Sequence, residues 1–143
     1  MVTIKHISVQ QAHQDQAAGA VYIDVRSIPE FRQGHPAGAY NVPLLHLDER
    51  SRQLRPNPDF VTVARANFAA DTILVVGCQA GVRSQQACEL LIGAGFHDVT
   101  NVLGGFAGSS YGQPGWVHAG LPVETDAAPE REYDALQKHT KGR

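Results

Sequence analysis

The chain has 143 residues, enough for one domain and too few for a second catalytic one. Its hydrophobic share of 43% and charged share of 18% suit a packed globular protein rather than a disordered or fibrous one. Lys and Arg total 12 against 14 Asp and Glu, and this balance of -2 excludes broad attraction to nucleic acid or anionic lipid, so any anion site has to be local.

The N-terminal stretch MVTIKHISVQ has no apolar signal core, and the run Ile73-Leu74-Val75-Val76 is too short to span a bilayer. A soluble, cytoplasmic protein is expected, without a membrane partner. The two cysteines, Cys78 and Cys88, are close enough in sequence to form a bridge, but a reducing compartment favours free thiols.

Ser8 followed by Gln11 is a capping-box pattern, predicting a helix over about 9–18 that Gly19 ends. Val21 to Val25 is a β-branched apolar run suited to a strand buried on both faces, with Asp24 and Arg26 at its carboxyl end. A brief helix is predicted around 29–33 and a strand over 39–44, closed by Pro43. Residues 45–56 read as an irregular polar connection. Asn57 as N-cap and Pro58 at the first helical position predict a helix over about 58–68. Residues 71–77 hold the clearest buried strand, 82–94 a helix with Val82, Cys88, Leu90, Leu91 and Ala94 for its core face, and 99–103 the last strand. Residues 126–143 read as a charged, solvated tail, in part helical. Alternating strands and helices predict an α/β domain, residues 1–125, around a mainly parallel sheet.

The segment that carries chemistry is Val76-Gly77-Cys78-Gln79-Ala80-Gly81-Val82-Arg83-Ser84, a strand running into a tight loop and then a helix. Ligands of open α/β sheets bind outside the carboxyl ends of strands, where loop amides and helix N-termini are available. Amides of residues 79–84 that wrap inward would favour a thiolate at Cys78 and hold an anion beside it, with Gly81 permitting the curve. Arg83 would add a planar, charged fork. The bland alternative makes Cys78 a core thiol and Arg83 a surface charge; the strand-loop-helix setting weighs against it. Cys88, inside the following helix, reads as a packing residue. Asp24 and Arg26 read as hydrogen-bond anchors for neighbouring turns, and His35 as a pin for its loop. The seven histidines and two cysteines show no metal-ligand spacing, so no metal is expected.

These segments resemble the rhodanese family. The loop from Cys78 to Arg83 is similar to the family's C-R-x-G-x-R active-site loop. Asp24-Val25-Arg26, Glu30-Phe31 and Gly34 through Pro43 resemble its N-terminal signature, and Gly104-Gly105-Phe106 with Ala119-Gly120-Leu121-Pro122-Val123 its C-terminal one. Together they cover roughly residues 5–125. The resemblance implies a five-stranded mainly parallel sheet flanked by helices on both faces, and transfer of sulfane sulfur from a small-molecule donor such as thiosulfate, through a persulfide on Cys78, to cyanide or a small-molecule or protein thiol. It implies no cofactor. Gln79, Ala80, Gly81, Val82 and Ser84 would form the cradle and Arg83 the contact for the donor's anionic end, with Asp24, Arg26 and His35 in support. Two departures stand out. Gln79 replaces the usual Arg after the nucleophile, and residues 106–115 form a longer Gly- and Ser-rich excursion, expected to flank the Cys78 loop. The rivals are a Cys-based phosphatase or arsenate reductase on the same scaffold, against which the C-x4-R spacing is one residue short, and a binding module without turnover.

Overall fold

A computed structural model describes residues 4–109 and 112–141. The chain runs β1 (Lys5–Ile7), α1 (Val9–Ala17), β2 (Val21–Asp24), α2 (Ile28–Gln33), β3 (His35–Pro36), β4 (Tyr40–Asn41), β5 (Leu45–Leu47), β6 (Leu54–Pro56), α3 (Phe60–Asn67), β7 (Ile73–Gly77), α4 (Val82–Gly93), β8 (Asp98–Val102), β9 (Val123–Glu124) and, after a 3-10 turn at Pro129–Arg131, α5 (Tyr133–Lys141). Five strands form one parallel sheet in the order β1-β8-β7-β2-β4. Two short antiparallel pairs, β3 with β9 and β5 with β6, lie outside it.

Alternation along the central strands splits the core between the two faces of the sheet. Ile23, Val25, Leu74 and Val76 join Phe60, Val63, Ala64, Ala87, Cys88 and Leu91 of α3 and α4 on one side. Tyr22, Val75 and Val102 join Val9 and Ala12 of α1, Phe31 of α2 and Trp116 on the other. The predicted α/β class and five-stranded parallel sheet are therefore present. Among the described residues no helix is long and apolar enough to cross a membrane.

Several boundaries differ from expectation. Lys5–Ile7 is a sheet edge strand, too short and too exposed to show a period. The segment predicted to be irregular at 45–56 contains the β5–β6 hairpin, held by Asp48, which accepts from Arg55 and from the backbone of Arg50. The strand expected over 39–44 shrinks to Tyr40–Asn41: Val42 still donates to the Asp24 carbonyl, but Pro43 has no N–H to give and Leu44 donates to Val25, one residue out of step with the ladder. Asn57 caps an Asx turn at Asp59, so α3 begins at Phe60 rather than 58. On α4, Val82 is 77% exposed, and the core face is Ser84, Ala87, Cys88 and Leu91.

The expected solvated tail is corrected more substantially. α5 docks on α3 with Tyr133 and Leu136 buried in the main core. Asn57 donates to the Tyr133 hydroxyl, Asn67 donates to the carbonyl of Leu136, and His139 bonds Asn67. Two apolar residues three positions apart suffice to seat one face of a helix that is polar elsewhere, which is why composition suggested solvation. Leu136→Ala is expected to cost about 2–4 kcal/mol, read as a lower urea midpoint at unchanged slope. A midpoint equal to that of the parent would mean that α5 is not packed in solution.

Candidate active site

The loop of residues 78–81 joins the carboxyl end of β7 to the N-terminus of α4. Cys78 is 2% exposed, and its sulfur accepts the N–H of Gly81 at 3.1 Å. Gly81 reaches that position with φ +98, a left-handed conformation that glycine adopts without strain and that caps α4. One turn into α4, Ser84 is fully buried with its hydroxyl oxygen 3.4 Å from the Cys78 sulfur. The Ser84 hydroxyl donates to Asn101 Oδ1 of β8 at 2.5 Å, and the Asn101 amide meets Nδ1 of the exposed His6 on β1 at 3.1 Å. A continuous hydrogen-bonded file thus leads from the sulfur to the sheet edge.

The wall behind the loop is the Gly104–Ala107 turn that follows β8. Phe106 N–H donates to the Cys78 carbonyl at 2.8 Å and Ala107 N–H to the Gln79 carbonyl at 2.9 Å. The excursion expected to flank the Cys78 loop therefore begins against it; Ser110 and Tyr111, within that excursion, lie outside the described residues.

Asp24 and Arg26, both buried, form an ion pair at 2.8 Å. Arg26 also donates to the Gly34 carbonyl at 2.6 Å and to Oε1 of Gln79 at 3.2 Å, while its guanidinium lies over the Phe106 ring, 4.4 Å from the centroid. Arg26 thereby anchors the Gly34 turn, with Asp24 fixing its guanidinium, and reaches one step further, to the residue that follows Cys78. His35 is buried, stacked flat on Phe31 with ring centroids 3.7 Å apart, and bonded to the Phe31 carbonyl and Glu124, which ties the Gly34–Gly38 turn to β9.

The resemblance implies Arg83 as the contact for the donor's anionic end. In the structure its two terminal nitrogens bond the two carboxylate oxygens of Glu30, at 2.8 and 2.9 Å. Glu30 is preset for this, since its Oε1 also accepts the backbone N–H and hydroxyl of Ser27 at the start of α2. Burial alone would raise the Glu30 carboxyl, but the hydrogen bonds from Arg83 and Ser27 outweigh it and hold it at about 2. The same pairing raises Arg83 above its ordinary value, against the opposing effect of burial. A carboxyl held below its ordinary value of 4.5 contributes stability that is complete above that pH and lost as pH falls toward about 2. The stability gap between the parent and Glu30→Gln should accordingly close across that window. An NMR titration placing Glu30 at an ordinary carboxylate value would show that the pair does not form.

A cavity of about 340 Å³ adjoins the loop, lined by Arg26, Glu30, Gln33, Gly34, Gln79 and Phe106. Ala80, next in the loop, is half-buried, and Val82 at the start of α4 has its side chain in solvent. Cys88 lies in the core, where burial, with Cys78 and Glu89 nearby, pushes its thiol up to about 12. Glu30's pairing and Asn101 escaped the sequence reading. The signals were there: Ser27-x-x-Glu30 is a capping box, and Thr100-Asn101 lies between the apolar Val99 and Val102.

Comparison with known proteins agrees with this architecture. The rhodanese-like domain profile matches residues 8–110. The chain is 37% identical over 118 residues to thiosulfate sulfurtransferase 16, chloroplastic, of Arabidopsis thaliana, covering 82% of this chain and 91% of that protein. It is 30% identical over 125 residues to the thiosulfate sulfurtransferase GlpE of Haemophilus influenzae strain PittEE, covering 87% of this chain and 98% of that one. The crystal structure of Rv0390 from M. tuberculosis superposes with a TM-score of 0.72 at 26% identity, over 87% of this chain and all of that one. With the Cys78 loop, the two flanking signatures and the parallel sheet all in place, the chain belongs to the rhodanese-like domain family.

Proposed function

We propose that the protein is a sulfurtransferase that carries sulfane sulfur on Cys78. The observation that carries this reading is the placement of the Cys78 sulfur at a strand-to-helix loop with the Gly81 N–H donating to it, the setting in which a nucleophilic sulfur is held and a bound anion is met by amides. With thiosulfate as donor, the Cys78 thiolate attacks the outer sulfur, the bond between the two thiosulfate sulfurs breaks and sulfite leaves with its electron pair. The Cys78 persulfide then gives its terminal sulfur to a thiophilic acceptor. Cyanide would leave as thiocyanate, a thiol as its own persulfide, and in either case Cys78 regains its thiolate. Both half-reactions are displacements at sulfur and call for no metal or organic cofactor.

The names of the relatives, two of them thiosulfate sulfurtransferases, support this class of chemistry. Transfer of an oxyanion would need Arg83 free to grip the three oxygens of the group, whereas both of its terminal nitrogens are engaged by Glu30. A purely binding role calls for no sulfur held at a loop amide, whereas the Cys78 sulfur receives the Gly81 N–H. Mass spectrometry of the intact protein tests the proposal. One added sulfur after thiosulfate or another sulfane donor, located on Cys78 and removed by cyanide with release of thiocyanate, is the expected result. A protein that gains no sulfur from any sulfane donor would overturn it.

A further inference from the structure

Two guanidiniums stand by the Cys78 loop, Arg26 bonded to Gln79 and Arg83 on the first turn of α4 where it feels the Cys78 charge, and each is already matched by a carboxylate. Arg26 is held by Asp24, with both side chains buried, and Arg83 is held by Glu30 through both terminal nitrogens. At the position after the nucleophile, where the family usually has a third cation, Gln79 presents an amide oxygen that accepts from Arg26. The adjoining cavity exposes Glu30 as well as Arg26 on its walls, together with the uncharged Gln33, Gly34, Gln79 and Phe106. The four side chains Arg26, Arg83, Asp24 and Glu30 together carry no net charge.

Thiosulfate enters as a dianion. To bind here it has to shed hydration and either displace Glu30 from Arg83 or sit beside that carboxylate without a guanidinium of its own, and fixed charge of the wrong sign is costly at close range. A persulfide, R–S–SH, offers the same kind of outer sulfur with at most one charge on it, beside a loop of uncharged residues whose Gly81 amide meets the Cys78 sulfur. We infer that the donor class this site accepts best is the persulfide of a low-molecular-weight thiol, in preference to a dianion such as thiosulfate. This rests on the sulfurtransferase reading above and names its donor. The Cys78 thiolate attacks the outer sulfur of R–S–SH. A bond forms between the Cys78 sulfur and that sulfur, the donor S–S bond breaks, and its electron pair leaves on the thiolate R–S⁻. The donor's proton stays on the transferred sulfur, and no outside oxidant or reductant takes part.

The test measures the rate at which Cys78 gains one sulfur, by peptide mass spectrometry, from ethanethiol persulfide and from thiosulfate. Each rate is divided by that of the same donor with free cysteine, which removes the donors' intrinsic difference. The parent should favour the persulfide by about tenfold or more on this scale, the discrimination expected of one mismatched charge-assisted contact. Glu30→Gln keeps an oxygen for Ser27 and removes the charge; Gln79→Arg adds a cation at the rim without touching Glu30. Either should narrow the preference about tenfold by improving thiosulfate, while Asp98→Asn, at the opposite end of the sheet, should leave it unchanged. Equal normalised rates in the parent would overturn the inference and leave sulfur transfer standing. So would a preference untouched by both Glu30→Gln and Gln79→Arg. Failure of both donors to load Cys78 would instead remove the sulfurtransferase reading itself, and the donor assignment with it.

Discussion

Cys78→Ser should abolish sulfur loading and transfer, whereas Cys88→Ser should retain most of both. The two thiols lie in one core cluster, yet their surroundings differ in kind. Cys78 stands where β7 opens into the loop, receives an amide hydrogen and contacts the Ser84 hydroxyl. Cys88 points from α4 into the packed side of the sheet, fully buried, its thiol pushed up to about 12, so that it is a poor nucleophile even when a donor reaches it. Serine at 78 preserves volume and the hydrogen bonds with Gly81 and Ser84 but cannot hold a sulfur chain. Serine at 88 adds a polar group to an apolar site, with a stability cost of about 1–3 kcal/mol unless it finds a partner. Circular dichroism would confirm that each variant is folded, and peptide mass spectrometry would locate the sulfur. Loading that survives Cys78→Ser, or vanishes in a folded Cys88→Ser, would move the nucleophile elsewhere.

The residues that announce the site do so through local rules. Ile73 to Val76 forms a strand because its β-branched run can be buried on both faces, and Gly81 and Arg83 follow at the spacing of a turn that opens a helix. The loop was legible for that reason, as were the sheet's class and the packing role of Cys88. What was not legible depends on long-range pairing. Lys5–Ile7 becomes a strand only because β8 lies beside it, and α5 becomes a docked helix only because α3 offers a groove for Tyr133 and Leu136. The destination of Arg83 belongs to the same class. Its charge was evident, but Glu30 lies 53 positions earlier and reaches it only after α2 and α4 converge on the carboxyl end of the sheet. Composition counts such charges; the fold decides which of them cancel.

Gly105→Ala should damage both stability and sulfur loading, because the turn after β8 holds the Cys78 loop through its backbone. Gly105 has φ +57, and a Cβ placed there would lie 2.3 Å from the carbonyl oxygen of Cys78 and 2.9 Å from the carbonyl carbon and oxygen of Gln79. Those are backbone atoms, and they are the same carbonyls that accept from Phe106 and Ala107. No side-chain rotation relieves the contact, so the turn and the loop have to separate. The left-handed conformation alone costs an alanine about 1–2 kcal/mol, and losing the two strap hydrogen bonds adds to this, so a total of at least about 2–3 kcal/mol is expected. Loading should fall by about a hundredfold, since misplacement of a reacting group by about 1 Å has an effect of that order. Gly95→Ala is the matched control. Its φ of +104 carries the same kind of backbone strain, but its Cβ would meet nothing within 4 Å, and it lies at the far end of α4 from Cys78. It should lose about 1–2 kcal/mol and load sulfur at the parental rate. If Gly105→Ala behaved like Gly95→Ala in both measurements, the loop would owe its shape to Gly81 and the α4 N-terminus alone.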